Sequence, residues 1–143
     1  MRARWMSRAA GLTSIDFTGW IPHEQLQGHF HRSHIGLILL RGGIARFWLG
    51  NKIFEYLSAY MGLVNNVSGE PAEIVRTHEL GLNVEAQNSS ALARAIGSLV
   101  NDPPRVRLQM ENAKKTFNQR FTRDAIQTEY RAHLKALMPS RIE

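Results

Sequence analysis

The stretch His34–Val67, HIGLILLRGGIARFWLGNKIFEYLSAYMGLVNNV, decides the fold. His34–Leu40 is apolar on both alternating sets of positions, which predicts a strand buried on both faces. Arg41–Gly50 is punctuated by Gly42, Gly43 and Gly50 and predicts a loop. Asn51–Tyr60 changes period: Ile53, Phe54 and Leu57 share one helical face, and Asn51 is placed to cap it. Met61–Val67 then returns to a strand. Strand, helix, strand without a long interruption is a βαβ unit, whose strands lie parallel and whose crossover is right-handed.

The same alternation continues in both directions. Upstream, Ser14–Trp20 (S-I-D-F-T-G-W) alternates Ile15 and Phe17 and predicts a short strand. Pro22–Arg32 predicts a helix with proline in its first turn and Leu26 and Phe30 on one face. Downstream, Pro71–Leu80 predicts a helix with Gly81 beyond its end, and Leu82–Glu85 a short strand. Ser89–Asn101 carries the stripe Leu92, Ile96, Leu99, Val100 behind Ser89 or Ser90 as cap. Asp102-Pro-Pro104 opens a helix to about Gln119, and Thr122 caps a last one over Arg123–Leu137. The order β-α-β-α-β-α-β-α-α-α predicts an α/β fold with a Rossmann-like parallel sheet covered by helices. Ligands of such sheets bind beyond the carboxyl ends of the strands. Here those ends are Gly19-Trp20, Arg41–Gly50, Ser68–Pro71 and Glu85–Asn88.

A chain of 143 residues holds one core, and 43% apolar against 21% charged residues is globular composition. The absence of cysteine excludes a disulfide framework, a thiolate zinc site and a cysteine nucleophile. The longest apolar run, Ile35–Leu40, is far short of the roughly 18 residues of a membrane helix. The basic N-terminus (Arg2, Arg4, Arg8) is followed by no apolar segment of the secretory kind. Net charge is +6, concentrated in residues 1–50 and 101–143, which suits a phosphate-bearing ligand, a nucleic acid or an anionic surface.

The junction Leu49–Ala59 (L-G-N-K-I-F-E-Y-L-S-A) carries the chemistry. Gly50 permits close backbone approach, and the helix start at Asn51 offers unpaired N–H groups and a positive dipole end. Lys52 adds a full charge. Glu55 lies one turn further, on the face of Asn51. A diphosphate at the helix end with a carboxylate behind it for sugar hydroxyls describes a nucleotide-sugar site. Spacing alone favours the plainer reading, in which Asn51 is a cap, Lys52 is solvated and Glu55 is an exposed acid.

These pieces resemble, in order, the C-terminal part of a retaining glycosyltransferase of the GT-B type, family 4 or group 1, of the subgroup that makes bacterial surface polysaccharides. Ile15–Pro22 resembles the family's V-x-F-x-G-x-h-P strand. Leu26–Leu40 resembles its next helix and strand, and Asn51–Tyr60 its N-K-h-F-E-Y helix. Gly69–Val75 resembles G-x-x-x-E-h-h, Gly81–Val84 resembles G-h-x-h, and Phe121-Thr122 the family's closing F-s. The resemblance spans residues 8–137. It implies that Glu55, as second glutamate of a Glu-x7-Glu pair, binds the ribose of the donor. The first glutamate falls at Phe47, and Tyr60 and Leu63 stand near a family glycine and proline. The implied donor-binding residues are Gly50, Asn51, Lys52, Glu55, Gly69 and Glu73, with Arg41 and Arg46 as diphosphate contacts and no metal or other cofactor.

The implied substrates are a nucleotide-diphosphate sugar and a carbohydrate or lipid-linked acceptor. The implied setting is cytoplasmic, or peripheral at the inner membrane face. The family's N-terminal domain and two further βα units have no counterpart here. Residues 1–137 therefore read as a partial donor-binding domain and 138–143 as a loose tail. A partial sheet is expected, with no turnover by this chain alone and a missing domain or partner subunit to complete it.

Other readings compete. Arg105, Arg107, Lys114, Lys115, Arg120 and Arg123 suit a nucleic-acid or membrane-surface module, although no recognised nucleic-acid motif accompanies them. A non-catalytic remnant is a third reading. His31 and His34 are split by a helix-to-strand junction and read as solvated rather than metal-bound. Trp20 suits a stacking surface or a lid on the core, while Phe54 and Tyr56 suit packing.

Overall fold

The computed structural model describes residues 2–41 and 49–137. Arg46 and Phe47, and the expected loose tail, lie outside the described residues. Helices α1 (Arg2–Arg8) and α2 (His23–Arg32) precede strand β1 (Ile35–Ile38). Then follow α3 (Asn51–Ser58), β2 (Gly62–Asn65), α4 (Glu70–Thr77), β3 (Gly81–Asn83), α5 (Ser89–Val100) and α6 (Pro103–Thr116). A π-helical turn, Phe117–Phe121, leads into α7 (Arg123–Leu137).

The strands form one parallel sheet in the order β1-β2-β3. Leu37 pairs with Val64 and Ile38 with Asn65, while Val64 pairs with Leu82. This is the expected α/β architecture, a partial Rossmann-like sheet flanked by helices. Because side chains alternate along a strand, β2 feeds both faces. On one face Ile38, Leu63 and Val67 meet Ile53 and Leu57 of α3, Val75 of α4 and Ala113 of α6. On the other, Val64 meets Leu99 of α5 and Val106 of α6. Phe54 and Tyr56 pack as expected: Phe54 meets Phe121 edge-on at 5.2 Å, and Tyr56 meets Phe30 of α2 at 5.7 Å.

Three expectations are corrected. Ile15–Gly19 is neither helix nor strand. Alternation makes a segment fit for a sheet, but a strand is defined by its ladder, and among the described residues the sheet runs β1-β2-β3 without this segment. Second, β1 is fully covered on one face only; on the other, Ile35 packs partly against Leu99 of α5 and Val106 of α6, and the cover ends there. Ile38 is buried, whereas Leu37 and Leu39 on the opposite face are each 40% exposed. Third, Trp20 is not a lid: it is 87% exposed.

Helix ends follow local chemistry. Asp102 accepts from the Arg105 N–H at 3.1 Å and Thr122 Oγ1 from the Ala125 N–H at 3.2 Å, both where expected. The cap of α5 is Asn88, one residue before the expected serines, accepting from the Ala91 N–H at 2.9 Å. Both α3 and α4 end in Schellman turns. The Met61 N–H donates to Tyr56 O and the Leu80 N–H to Val75 O, each at 3.0 Å. The left-handed residues of these turns are Tyr60 (φ 58°) and Glu79 (φ 51°). Gly81, expected just past α4, is a strand residue. A Cβ there would collide with the Leu63 carbonyl.

Candidate functional site

The carboxyl ends of the strands gather most of the residues singled out in the sequence. Arg41 follows β1. Gly69, held at φ 78° and ψ −141°, follows β2 and caps α4. Helix α3 begins at Asn51 itself, so Asn51 is its first residue rather than its cap; Gly50 takes that place. No side chain caps α3. The Ile53 N–H donates to the Gly50 carbonyl at 3.4 Å, and the Asn51 and Lys52 N–H groups have no partner among the described residues, with the Lys52 and Glu55 side chains exposed beside them. Among the described residues the Glu55 carboxylate has no partner.

Glu73 differs. Its carboxylate accepts from Arg76 at 2.5 and 3.2 Å and from the Thr77 hydroxyl at 3.0 Å, all within α4. The Arg76 bonds, then Thr77, hold its carboxyl below the usual range. Its oxygens are thus engaged on the exposed face of α4, while those of Glu55 have no partner among the described residues.

Two asparagines shape the edge. Asn66 turns its carboxamide onto the backbone of Leu40: Oδ1 accepts from the N–H at 2.7 Å and Nδ2 donates to the carbonyl at 3.0 Å. A side chain thereby continues the ladder past β2 and directs β1 into Arg41. Asn65 is fully buried. Its Nδ2 donates to Val67 O and to Asn83 Oδ1, each at 2.8 Å, and Asn83 Nδ2 donates to Ala72 O at 2.9 Å. That chain ties both strand ends to the start of α4. A cavity of about 440 Å³ opens at the carboxyl ends of β1, β2 and β3, between Trp5, Leu39, Arg41, Glu85, Ser89 and Leu92. Of the donor-site residues implied by the resemblance, Arg41 alone among the described residues lines it, together with Glu85, Gln87 and Asn88 from the expected end of the last strand. The periodicity read from the sequence passed over Trp5 and Asn66; the doublet Asn65-Asn66 closing an apolar strand was the signal for the latter.

The family profile for Glycosyl transferases group 1 matches residues 1–102, more than half of the chain and all three strands. The chain belongs to the group 1 glycosyl transferase family. Membership defines its role in general terms as glycosyl transfer between a nucleotide sugar and an acceptor. Neither a curated relative nor a solved structure matches the chain. Among the described residues no helix is long and apolar enough to cross a membrane.

Proposed function

We propose that this chain holds the nucleotide-sugar donor for a retaining GT-B, family 4 glycosyltransferase acting on a carbohydrate or lipid-linked acceptor in polysaccharide biosynthesis. The observation that carries this reading is the uncapped start of α3. The Asn51 and Lys52 N–H groups and the Lys52 ammonium suit a diphosphate, and the Glu55 carboxylate one turn on, without a partner among the described residues, suits the ribose hydroxyls. Arg41, at the end of β1, adds a second cation. Gly69 lets the α4 loop pass close to the ligand. Glu73, bound to Arg76 and Thr77, shapes that loop rather than touching the donor. The donor carries its own activated bond, so this reading assigns no metal or further cofactor. Such a protein works on the cytoplasmic side, peripheral to the membrane when its acceptor is lipid-linked.

The test is a calorimetric titration of the chain with nucleoside diphosphates. Glu55→Ala should weaken binding about tenfold or more, by loss of a charge-assisted bond worth roughly 1.5–3 kcal/mol. Equal affinity in the two proteins would reject the ribose assignment.

A further inference from the structure

A second cavity, of about 380 Å³, runs along β3 between the end of α4 and α6. It shares no lining residue with the cavity at the strand ends. Among the described residues β3 pairs with β2 alone. The Leu63 N–H donates to Leu80 O and the Val84 N–H to Asn65 O, so Leu80 and Val84 turn their main-chain groups toward β2. Alternation turns those of Gly81 and Asn83 to the outer edge, and both residues line the cavity.

Three side chains bring unspent polar groups to the same place. Gln109 of α6 is 5% exposed, and its Oε1 is buried with no hydrogen-bond partner among the described residues. A buried acceptor left unpaired is costly, so its persistence asks for a partner that the chain itself does not supply. The Arg105 guanidinium and the Glu79 carboxylate line the cavity as well. Among the described residues neither makes an ion pair, whereas Arg76 beside them is already held by Glu73. Opposite charges on one cavity wall that do not close on each other leave room for a ligand carrying both. Glu79 also holds φ 51°, where glycine would be relaxed, and strain kept at a cavity wall points to a role for the side chain.

The rest of the lining sets the ligand's size and polarity. Leu82 and Leu108 add apolar surface, and the volume suits a small molecule. A carboxylate matches the Arg105 fork and the N–H groups of the β3 edge. An ammonium matches the Glu79 carboxylate and the Gln109 oxygen. Both on one small body with an aliphatic arm describe an amino acid.

We propose that this cavity binds a free α-amino acid with an apolar side chain, its carboxylate on Arg105 and its ammonium on Glu79 and Gln109. The site is separate from the donor end of the sheet, and neither needs the other.

The test is an NMR titration of the chain with leucine, valine and methionine, following the Gly81–Asn83 amides and the Gln109 carboxamide. Isocaproate and isoamylamine, which each keep one charge of leucine, serve as controls. At least one amino acid should shift these signals. Each singly charged control should bind at least about tenfold more weakly than leucine, through loss of one charge-assisted contact. Glu79→Gln and Arg105→Gln, both at the protein surface, should weaken the amino acid about tenfold as well. Gln109→Met, unbranched and of similar size, should weaken binding while leaving the urea midpoint unchanged or higher, since it removes the unpaired acceptor. Signals unmoved by all three amino acids up to about 10 mM would overturn the site and leave Gln109 Oε1 to a bound water. Controls that bind as tightly as leucine, or equal affinity in the two charge variants, would overturn it too.

Discussion

Glu79 shows how a single residue absorbs the cost of a tight connection. It takes φ 51° so that α4 can turn directly into β3, and left-handed backbone costs a non-glycine residue about 1 kcal/mol. Its carbonyl accepts from Asn112 Nδ2 at 3.3 Å, but its side chain has no partner among the described residues. Glu79→Gly should therefore raise stability by about 0.5–1 kcal/mol, read as a higher urea midpoint with an unchanged slope. Tyr60 occupies the equivalent position after α3, near the place where the resembled family carries glycine. There the ring also lies 5.6 Å from the Lys114 ammonium, so a glycine would lose a cation–π contact as it relieved the strain. A glycine's absence can be informative: each turn forms because the next strand demands it.

Among the elements, the π-helical turn between α6 and α7 is where the packed core ends. Phe117 and Phe121 pack against the core from this turn, whereas α7 buries no residue. The turn is tied to the end of α4 by Arg120, whose Nη1 donates to His78 Nε2 at 3.3 Å. That bond needs a neutral imidazole. Burial first, then the Arg120 charge, pushes the His78 pKa below its ordinary 6.5. The unfolded chain thus takes up a proton near pH 6.5 that the folded chain resists. The stability from His78 is present above that pH and is lost as pH falls through the lowered value. Thermal melts from pH 7.5 to 5 should show Tm falling with acid, and His78→Gln should flatten that slope. An unchanged slope would assign the acid sensitivity to other groups.

The whole molecule has a dense half and an open half. Leu57, Leu63 and Leu80 are fully buried between the sheet and α3, α4 and α6, while α7 shows Ile126, Tyr130 and Leu134 to solvent. Leu57→Ala should cost about 2–5 kcal/mol, because the surrounding side chains cannot close on the cavity. Leu134→Ala should change stability by no more than about 0.5 kcal/mol. Comparable losses from the two substitutions, measured by urea denaturation, would mean that α7 packs on something in solution. The open outer face of β1 belongs to the same half. There Trp5 of α1, which the periodicity passed over, reaches the strand ends and helps to enclose the cavity.

Much of this was legible because it is local. The change of hydrophobic period at Asn51 and again at Met61 dictates helix and strand, since a helix repeats every 3.6 residues and a strand every two. Asp102 before two prolines and Thr122 before Arg123 start helices by their own side-chain bonds, and the alternation of strands and helices dictates a parallel sheet. Gly50, Lys52 and Glu55 were readable as a group because they fall within one helical turn or so. What the tertiary structure decided depends on neighbours distant in sequence. Ile15–Phe17 has the pattern of a strand but belongs to no strand among the described residues. Leu37 and Leu39 are as apolar as Ile38, yet of the three only Ile38 is buried, packed against α3 and α4. Asn66 completes the ladder because Leu40, 26 residues away, presents a free N–H and carbonyl to it. The strand-end cavity needs Trp5, Arg41, Asn66 and Glu85–Ser89 from four separated segments. Their meeting is a property of how the sheet is laid down and covered, which no local period encodes.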